Sequence, residues 1–326
     1  MAINKKYNWG IIGCGKIAHK FAEDLLEVPN ANLLAVGSRD IKKAKNFGRT
    51  FKVSNCYGSY MELIADNEID IIYIATPHVF HYENTIMCLN AKKAVLCEKP
   101  FALNLEQVTE MILIAKKNNT FLMEALWTYF LPHYRHVLKI IESNKLGKIK
   151  NLQADFGFAS TYNPKSRIFN KALGGGSLLD VGIYPLFAAL SLLGYPENIE
   201  AKATFGETGI DENCTMKLSY KNNIQASLFS SVTEKTNTEA IIKLEKGTIV
   251  IHSRFHEPST ITITKNGISK LYEFPVTTNG YNYEAIHVQE MIAKGNIESE
   301  IMTFNKSIRL VRLLDAVRDK IGLHYE

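Results

Sequence analysis

The chain is 326 residues long, 46% hydrophobic and 22% charged, the balance of a folded globular protein whose length predicts two domains. Its net charge of +5 is spread rather than blocked, which argues against nucleic acid or an anionic membrane surface as partner. No apolar run approaches the ~20 residues that cross a bilayer, and Met1 to Lys6 show no secretory signal. Cys14, Cys56, Cys88, Cys97 and Cys214 form no C-x-x-C pair, so neither zinc nor a disulfide frame is expected, and a reduced cytoplasmic protein is.

The first third alternates strand and helix signals. Asn8 to Ile12 reads as a strand, followed by a glycine turn and a helix to about Val28. Strands are expected at Asn32 to Gly37, Ile69 to Ala75, Ala94 to Cys97 and Thr120 to Met123, with helices over Ile41 to Phe51, after Thr76-Pro77, and over Leu105 to Lys117. Such alternation predicts a parallel sheet of βαβ units, a Rossmann-type dinucleotide-binding domain over residues 1–126. A helix from Leu131 to Ser143 then gives way to β-rich sequence: Ile149 to Phe158, Ile199 to Phe205, Thr215 to Tyr220, Ile224 to Val232, Ala240 to His252 and Thr260 to Thr264. Lys221-Asn222-Asn223, Glu245-Lys246-Gly247 and Lys265-Asn266-Gly267 are hairpin-turn signals. Residues 127–326 therefore read as an α+β domain with an open, mainly antiparallel sheet, closed by two helices, the last with Ile308, Val311, Leu314, Val317 and Ile321 on one face.

Four motifs point to chemistry. Gly13-Cys14-Gly15-Lys16-Ile17-Ala18 is a G-x-G-x-x-A turn between a strand and a helix. Its first glycine permits the tight turn, its second lets a pyrophosphate approach, and the helix start offers free N–H groups. The next strand ends in Ser38-Arg39, where an NAD site would place an acid. Arg39 can clamp a 2′-phosphate, which favours NADP with NAD possible; the plainer reading is a solvated arginine beside Asp40 as helix cap. Ala94 to Cys97 runs straight into Glu98-Lys99-Pro100. Strand carboxyl ends in open α/β sheets border the ligand crevice, so Lys99 is either delivered there or belongs to a solvated charge pair. Glu98 serves either a structural ion pair or the cofactor. Last, Gly174-Gly175-Gly176 leads into a helix with Asp180 and Tyr184 four apart on one face. Either these two carry chemistry, or Asp180 satisfies backbone amides and Tyr184 is a core aromatic.

Other residues read both ways. Thr76, His78 and His81 follow a strand and either face the cofactor or pack the helix start. Trp127 and Phe156 either wall an apolar pocket or fill the core, and Arg167 either touches substrate or is solvated. No metal constellation is expected, since His78 and His81 lack a carboxylate or thiolate at ligand spacing.

The G-C-G-K-I-A turn, Cys97-Glu98-Lys99-Pro100 and G-G-G-x-x-x-D-x-G-x-Y together resemble the glucose–fructose oxidoreductase/inositol dehydrogenase (Gfo/Idh/MocA) family over nearly the whole chain. Phe121 to Trp127 and Leu178 to Tyr184 are similar to its branch of dimeric dihydrodiol dehydrogenases and NADP-dependent D-xylose dehydrogenases. Most of the family places a histidine where this chain has Tyr184, so the tyrosine branch is expected over inositol-type enzymes.

The resemblance implies an NADP-dependent oxidoreductase acting on a secondary alcohol or carbonyl of a sugar, polyol or cyclic diol. It places Lys99 near the nicotinamide ribose and the reacting oxygen, and Asp180 as the helix carboxylate. A tyrosine base needs a lowered pKa, which an ammonium such as Lys99 supplies. Gly13, Gly15, Lys16, Ile17, Ser38, Arg39, Thr76, His81, Glu98 and Lys99 are the expected cofactor contacts, and Trp127, Phe156 and Arg167 the substrate pocket. A nucleotide-gated sensor without turnover is the alternative class. A homodimer through the second sheet is expected, because a face carrying Ile224, Ala226, Leu228, Ile249 and Ile251 needs a cover.

Overall fold

A computed structural model describes residues 5–325, so the signal-free start expected at residues 1–4 lies outside the described residues. The chain forms two compact units: Met1–Phe130 with Val276–Ile308, and Leu131–Pro275 with Arg309–Glu326.

In the first unit β1 (Tyr7–Ile12), α1 (Lys16–Leu25), β2 (Ala31–Gly37), α2 (Ile41–Phe51), β3 (Asn55–Tyr57) and α3 (Tyr60–Ala65) are followed by β4 (Ile71–Ile74), α4 (His81–Asn90), β5 (Ala94–Glu98), α5 (Leu105–Asn118) and β6 (Leu122–Ala125). The six strands run parallel in the order β3-β2-β1-β4-β5-β6, so the chain reverses direction across the sheet beside β1, where open sheets bind dinucleotides. β4 and β5 are buried along their whole length, which is why they read as continuous apolar runs. The short edge pair β3 and α3 escapes an apolar pattern, though Ser59 and Glu62 form a capping box at the α3 start.

The second unit holds α6 (Pro132–Glu142), β7 (Ile149–Gly157), α7 (Ile183–Leu193), β8 (Asn198–Phe205), β9 (Asp211–Ser219), β10 (Gln225–Ser231), β11 (Ala240–Leu244), β12 (Gly247–Ile251), β13 (Ile261–Lys265) and β14 (Ile268–Tyr272). Its eight strands lie in the order β14-β13-β12-β11-β7-β10-β9-β8. All neighbours are antiparallel except β7 and β10, whose parallel pairing makes the sheet mixed. The three expected hairpin turns join β9 to β10, β11 to β12 and β13 to β14.

Two expectations are corrected here. Ala226, Leu228, Ile249 and Ile251 are buried within the chain itself, with α7 packed on β7 and β10, so these residues do not call for a partner subunit. Residues 171–193 have a mean hydropathy of 1.6 in their most apolar window, enough by composition to cross a membrane. Most of that window is buried inside the protein, as the core helix of the second unit.

After the second unit's strands the chain returns to the first unit with α8 (Asn282–Ala293), and α9 (Phe304–Ile321) ends it. Asp24 of α1 receives this return, accepting from the Asn279 N–H at 2.8 Å and the Tyr281 N–H at 2.7 Å. The Leu122 N–H of β6 donates to Ile297 O at 3.0 Å.

Candidate active site

The first unit carries the cofactor features. Gly13 ends β1 with φ +102°, and a side chain there would bring its Cβ to 2.7 Å from Ala75 O, so only glycine fits the turn. Gly15 is the N-cap of α1 with no capping side chain, and the first turn has no acid. A Cβ at Gly15 would meet nothing within 4 Å, so the helix N–H groups open onto space that suits a pyrophosphate. Lys16 is exposed and Ile17 half-buried beside it. The residues present therefore fit a dinucleotide.

Ser38 is buried at the end of β2 and its Oγ accepts from the Asp40 N–H at 3.2 Å. Asp40 caps α2 through the Lys42 N–H at 2.9 Å. Arg39 is exposed, its guanidinium 4.9 Å from the centre of the Phe80 ring. Burial pushes the neighbouring Cys14 thiol up to about 11, which keeps it protonated.

The turn after β5 is clamped at several points. Glu98 is buried and accepts from the Tyr73 hydroxyl and, at 3.2 Å, from the Lys99 N–H. Burial, then the Glu98 charge, holds the Tyr73 phenol well above its ordinary pKa, so it stays a donor. The Lys99–Pro100 peptide is cis, Pro100 O lies 2.7 Å from His81 Nδ1, and the Phe101 N–H donates to Glu124 Oε1 at 3.1 Å. The other ring nitrogen of His81 lies 2.9 Å from Thr76 O, while Asn84 donates to Thr76 Oγ1 at 3.1 Å. His81 is thus fully buried in the backbone frame around Lys99, with His78 also buried at a ring separation of 5.7 Å. Lys99 itself is half-buried. Trp127 is buried and stacks on Tyr281 of the returning segment, ring centres 4.1 Å apart.

The second unit carries the acid/base candidates. The glycine run does not enter a regular α-helix: Leu178–Gly182 is a π-turn, and α7 starts after it at Ile183. Such turns recur at functional sites. Asp180, inside the turn, is held by Arg167 through two contacts, Nη1 to Oδ1 at 2.9 Å and Nη2 to Oδ2 at 3.1 Å. Arg167 is therefore the partner of Asp180. Tyr184 is buried in an aromatic box, its ring 4.7 Å from His256 and 5.8 Å from Phe156, with Phe156 and His256 stacked at 4.1 Å. His256 Nε2 lies 3.5 Å from Glu257. Burial works against the Glu257 carboxylate, yet hydrogen bonds from Arg254 and His256 hold it well below the usual carboxylate range. Among the described residues no group of three or more His, Cys, Asp or Glu is arranged to hold a metal.

His256 and Tyr281 are absent from the residues expected to form the site. Each follows an irregular segment far along the chain from the ring it touches, Arg254-Phe255 before His256 and Asn279-Gly280 before Tyr281. Only an aromatic beside turn residues marks either one in the sequence.

Residues 7–126 match the family model "Oxidoreductase family, NAD-binding Rossmann fold", and residues 134–250 match the "GFO/IDH/MocA C-terminal domain". A trans-1,2-dihydrobenzene-1,2-diol dehydrogenase of Xenopus tropicalis is 37% identical, over 97% of this chain and 98% of its own. The human protein of the same name is 33% identical over 97% of both chains. Among solved structures, an aldose-aldose oxidoreductase of Caulobacter crescentus complexed with glycerol superposes with a TM-score of 0.89 at 25% identity, covering 98% of each chain.

Proposed function

The chain belongs to the GFO/IDH/MocA oxidoreductase family and is an NAD(P)-dependent oxidoreductase, and from that premise we propose a dehydrogenase of CH–OH groups that uses Tyr184 as its acid/base. The carrying observation is a buried phenol in an aromatic box, one turn of chain from a carboxylate that an arginine holds by both oxygens. When bound, the nicotinamide supplies the acceptor or donor of a hydride at the substrate carbon.

The protein's own residues handle the proton and the position. Tyr184 takes the hydroxyl proton of a secondary alcohol as its carbon is oxidised, and returns a proton to the oxygen in the reverse direction. Lys99 is assigned the positive charge that favours the phenolate and holds the reacting oxygen. Its clamped turn fixes the backbone from which the Lys99 side chain extends. Asp180, fixed by Arg167, orients the substrate hydroxyl. Trp127 and Phe156 are proposed as apolar walls. The open start of α1, with Gly13, Gly15 and Lys16, would hold the pyrophosphate, and Arg39 a 2′-phosphate, which makes NADP the proposed cofactor.

Related enzymes are named for a cyclic diol and for aldoses, so a sugar, polyol or cyclic diol is proposed as substrate. The test mixes the protein with NADP and a panel of trans-1,2-dihydrobenzene-1,2-diol, D-xylose, D-glucose and glycerol, following absorbance of the reduced nicotinamide. Turnover on at least one supports the dehydrogenase. Tight NADPH binding with no turnover on the panel would favour a sensor. A second copy of the chain is the proposed partner for the sheet face opposite α7, where Phe229, Ile241 and Val250 are half-buried among polar neighbours.

A further inference from the structure

The π-turn that presents Asp180 is hydrogen-bonded to the sheet beneath it at its entry and lies close on that sheet at its exit. Asp211 opens β9 and is fully buried. Its Oδ2 accepts from the Ser177 hydroxyl at 2.8 Å and from the Leu178 N–H at 2.6 Å, the residue before the turn and its first residue. Ser177 has one hydroxyl proton and Asp211 takes it, so Ser230 of β10 is the donor in the 3.0 Å contact with Ser177 Oγ. At the exit, a side chain on Gly182 would bring its Cβ to 2.9 Å from Ser230 Oγ, so the turn lies directly on β10 there.

The other oxygen of Asp211, Oδ1, has no hydrogen-bond partner among the described residues and fills the space that a side chain on Gly176 would take. A buried carboxylate with one lone oxygen is costly. An apolar residue would avoid that cost, but it would leave the Leu178 N–H and the Ser177 hydroxyl without this acceptor.

We propose that Asp211 is a positioning residue, which by gripping the entry of the π-turn holds Asp180 and Tyr184 in their working geometry. The inference rests on the reading of Tyr184 as acid/base. Burial pushes the Asp211 carboxyl up to about 7, against the hydrogen bonds from Ser177 and Leu178, so it changes charge near neutrality. The other titratable groups around it are Cys214, Tyr325, Arg318 and Asp180. Cys214 on its own strand is pushed up to about 12 by burial. Tyr325, on the C-terminal segment, is raised further, by burial first. Arg318 of α9, over the Tyr325 ring at 5.6 Å, and Asp180 on the π-turn, paired with Arg167, complete the charged surroundings. The ionised carboxylate grips the N–H and hydroxyl donors harder than the acid does, so turnover rises with pH through this ionisation.

The test compares Asp211→Ala, Asp211→Asn and Tyr184→Phe with the wild type, using NADP with trans-1,2-dihydrobenzene-1,2-diol or D-xylose. Asp211→Ala should lower kcat by about 100-fold, the cost of a roughly 1 Å misplacement, with the NADPH dissociation constant unchanged within about 2-fold. Asp211→Asn keeps an oxygen for the Leu178 N–H, so it should lose less than about 10-fold, and its kcat–pH profile should lose the share of the rise near 7 that Asp211 contributes, leaving that of Tyr184. Wild-type kcat in folded Asp211→Ala overturns the proposal. If that variant does not fold, Asp211→Asn decides, and a kcat–pH profile that superimposes on the wild-type profile overturns it. Collapse of Tyr184→Phe alongside a fully active Asp211→Ala removes only the role of Asp211. A fully active Tyr184→Phe removes the acid/base reading and this proposal with it.

Discussion

At Ser38 and Arg39 a hydroxyl and an exposed guanidinium follow β2, where an NAD site would carry an acid. Replacing Arg39 by alanine should raise KM for NADP by about 10-fold or more, the scale of one lost charge-assisted contact, and leave KM for NAD nearly unchanged. Equal losses with both cofactors would assign Arg39 to its contact with Phe80 instead. Single residues were legible where their role is set by near neighbours in sequence: Gly13 in its turn, Gly15 at its helix start, Asp40 as a cap. Residues whose role depends on distant partners were not. Arg167 reads in sequence as a solvated or substrate-facing charge, and its pairing with Asp180 has no sequence signal, nor does the place of His256 beside Tyr184.

The parallel strands and the hairpins were legible as elements, because burial on two faces gives continuous apolar runs and one-sided burial gives alternation. The π-turn was not: Asp180 and Tyr184 read as neighbours on one regular helix face, and nothing in the apolar pattern marks a widened turn. β6 illustrates a different debt. Glu124, in its middle, is buried and accepts the Phe101 N–H beyond Lys99, and burial pushes its carboxyl up to about 7. An acid whose folded pKa is raised contributes most below its unfolded pKa of about 4.5, and that contribution is lost as pH climbs toward 7. Glu124→Gln should therefore flatten the stability–pH curve of the first unit between those values by about 3 kcal/mol, read from urea unfolding at several pH values. An unchanged slope would show that Glu124 is not the group responsible.

At the scale of the whole molecule the class of each sheet was legible, and the discontinuity of the first unit was not. The return of Val276–Ile308 includes contacts such as Asp24 to Tyr281, which join residues 257 apart in the chain and leave no local signal. Of the apolar residues behind the expected dimer, Ala226, Leu228, Ile249 and Ile251 are the second unit's own core. The proposed dimer therefore rests on the opposite face, and light scattering should give twice the 36.7 kDa of one chain. A mass of one chain at micromolar concentration would remove it.

Tyr184 is the residue proposed to move the proton. The most direct measurement is the steady-state kinetics of Tyr184→Phe beside its NADPH affinity. Removing one hydroxyl should lower kcat by about 100- to 10,000-fold, the range of general acid–base catalysis, while NADPH binds within about 2-fold of wild type. A Tyr184→Phe protein that turns substrate over at a near-normal rate would show that Tyr184 is not the acid/base.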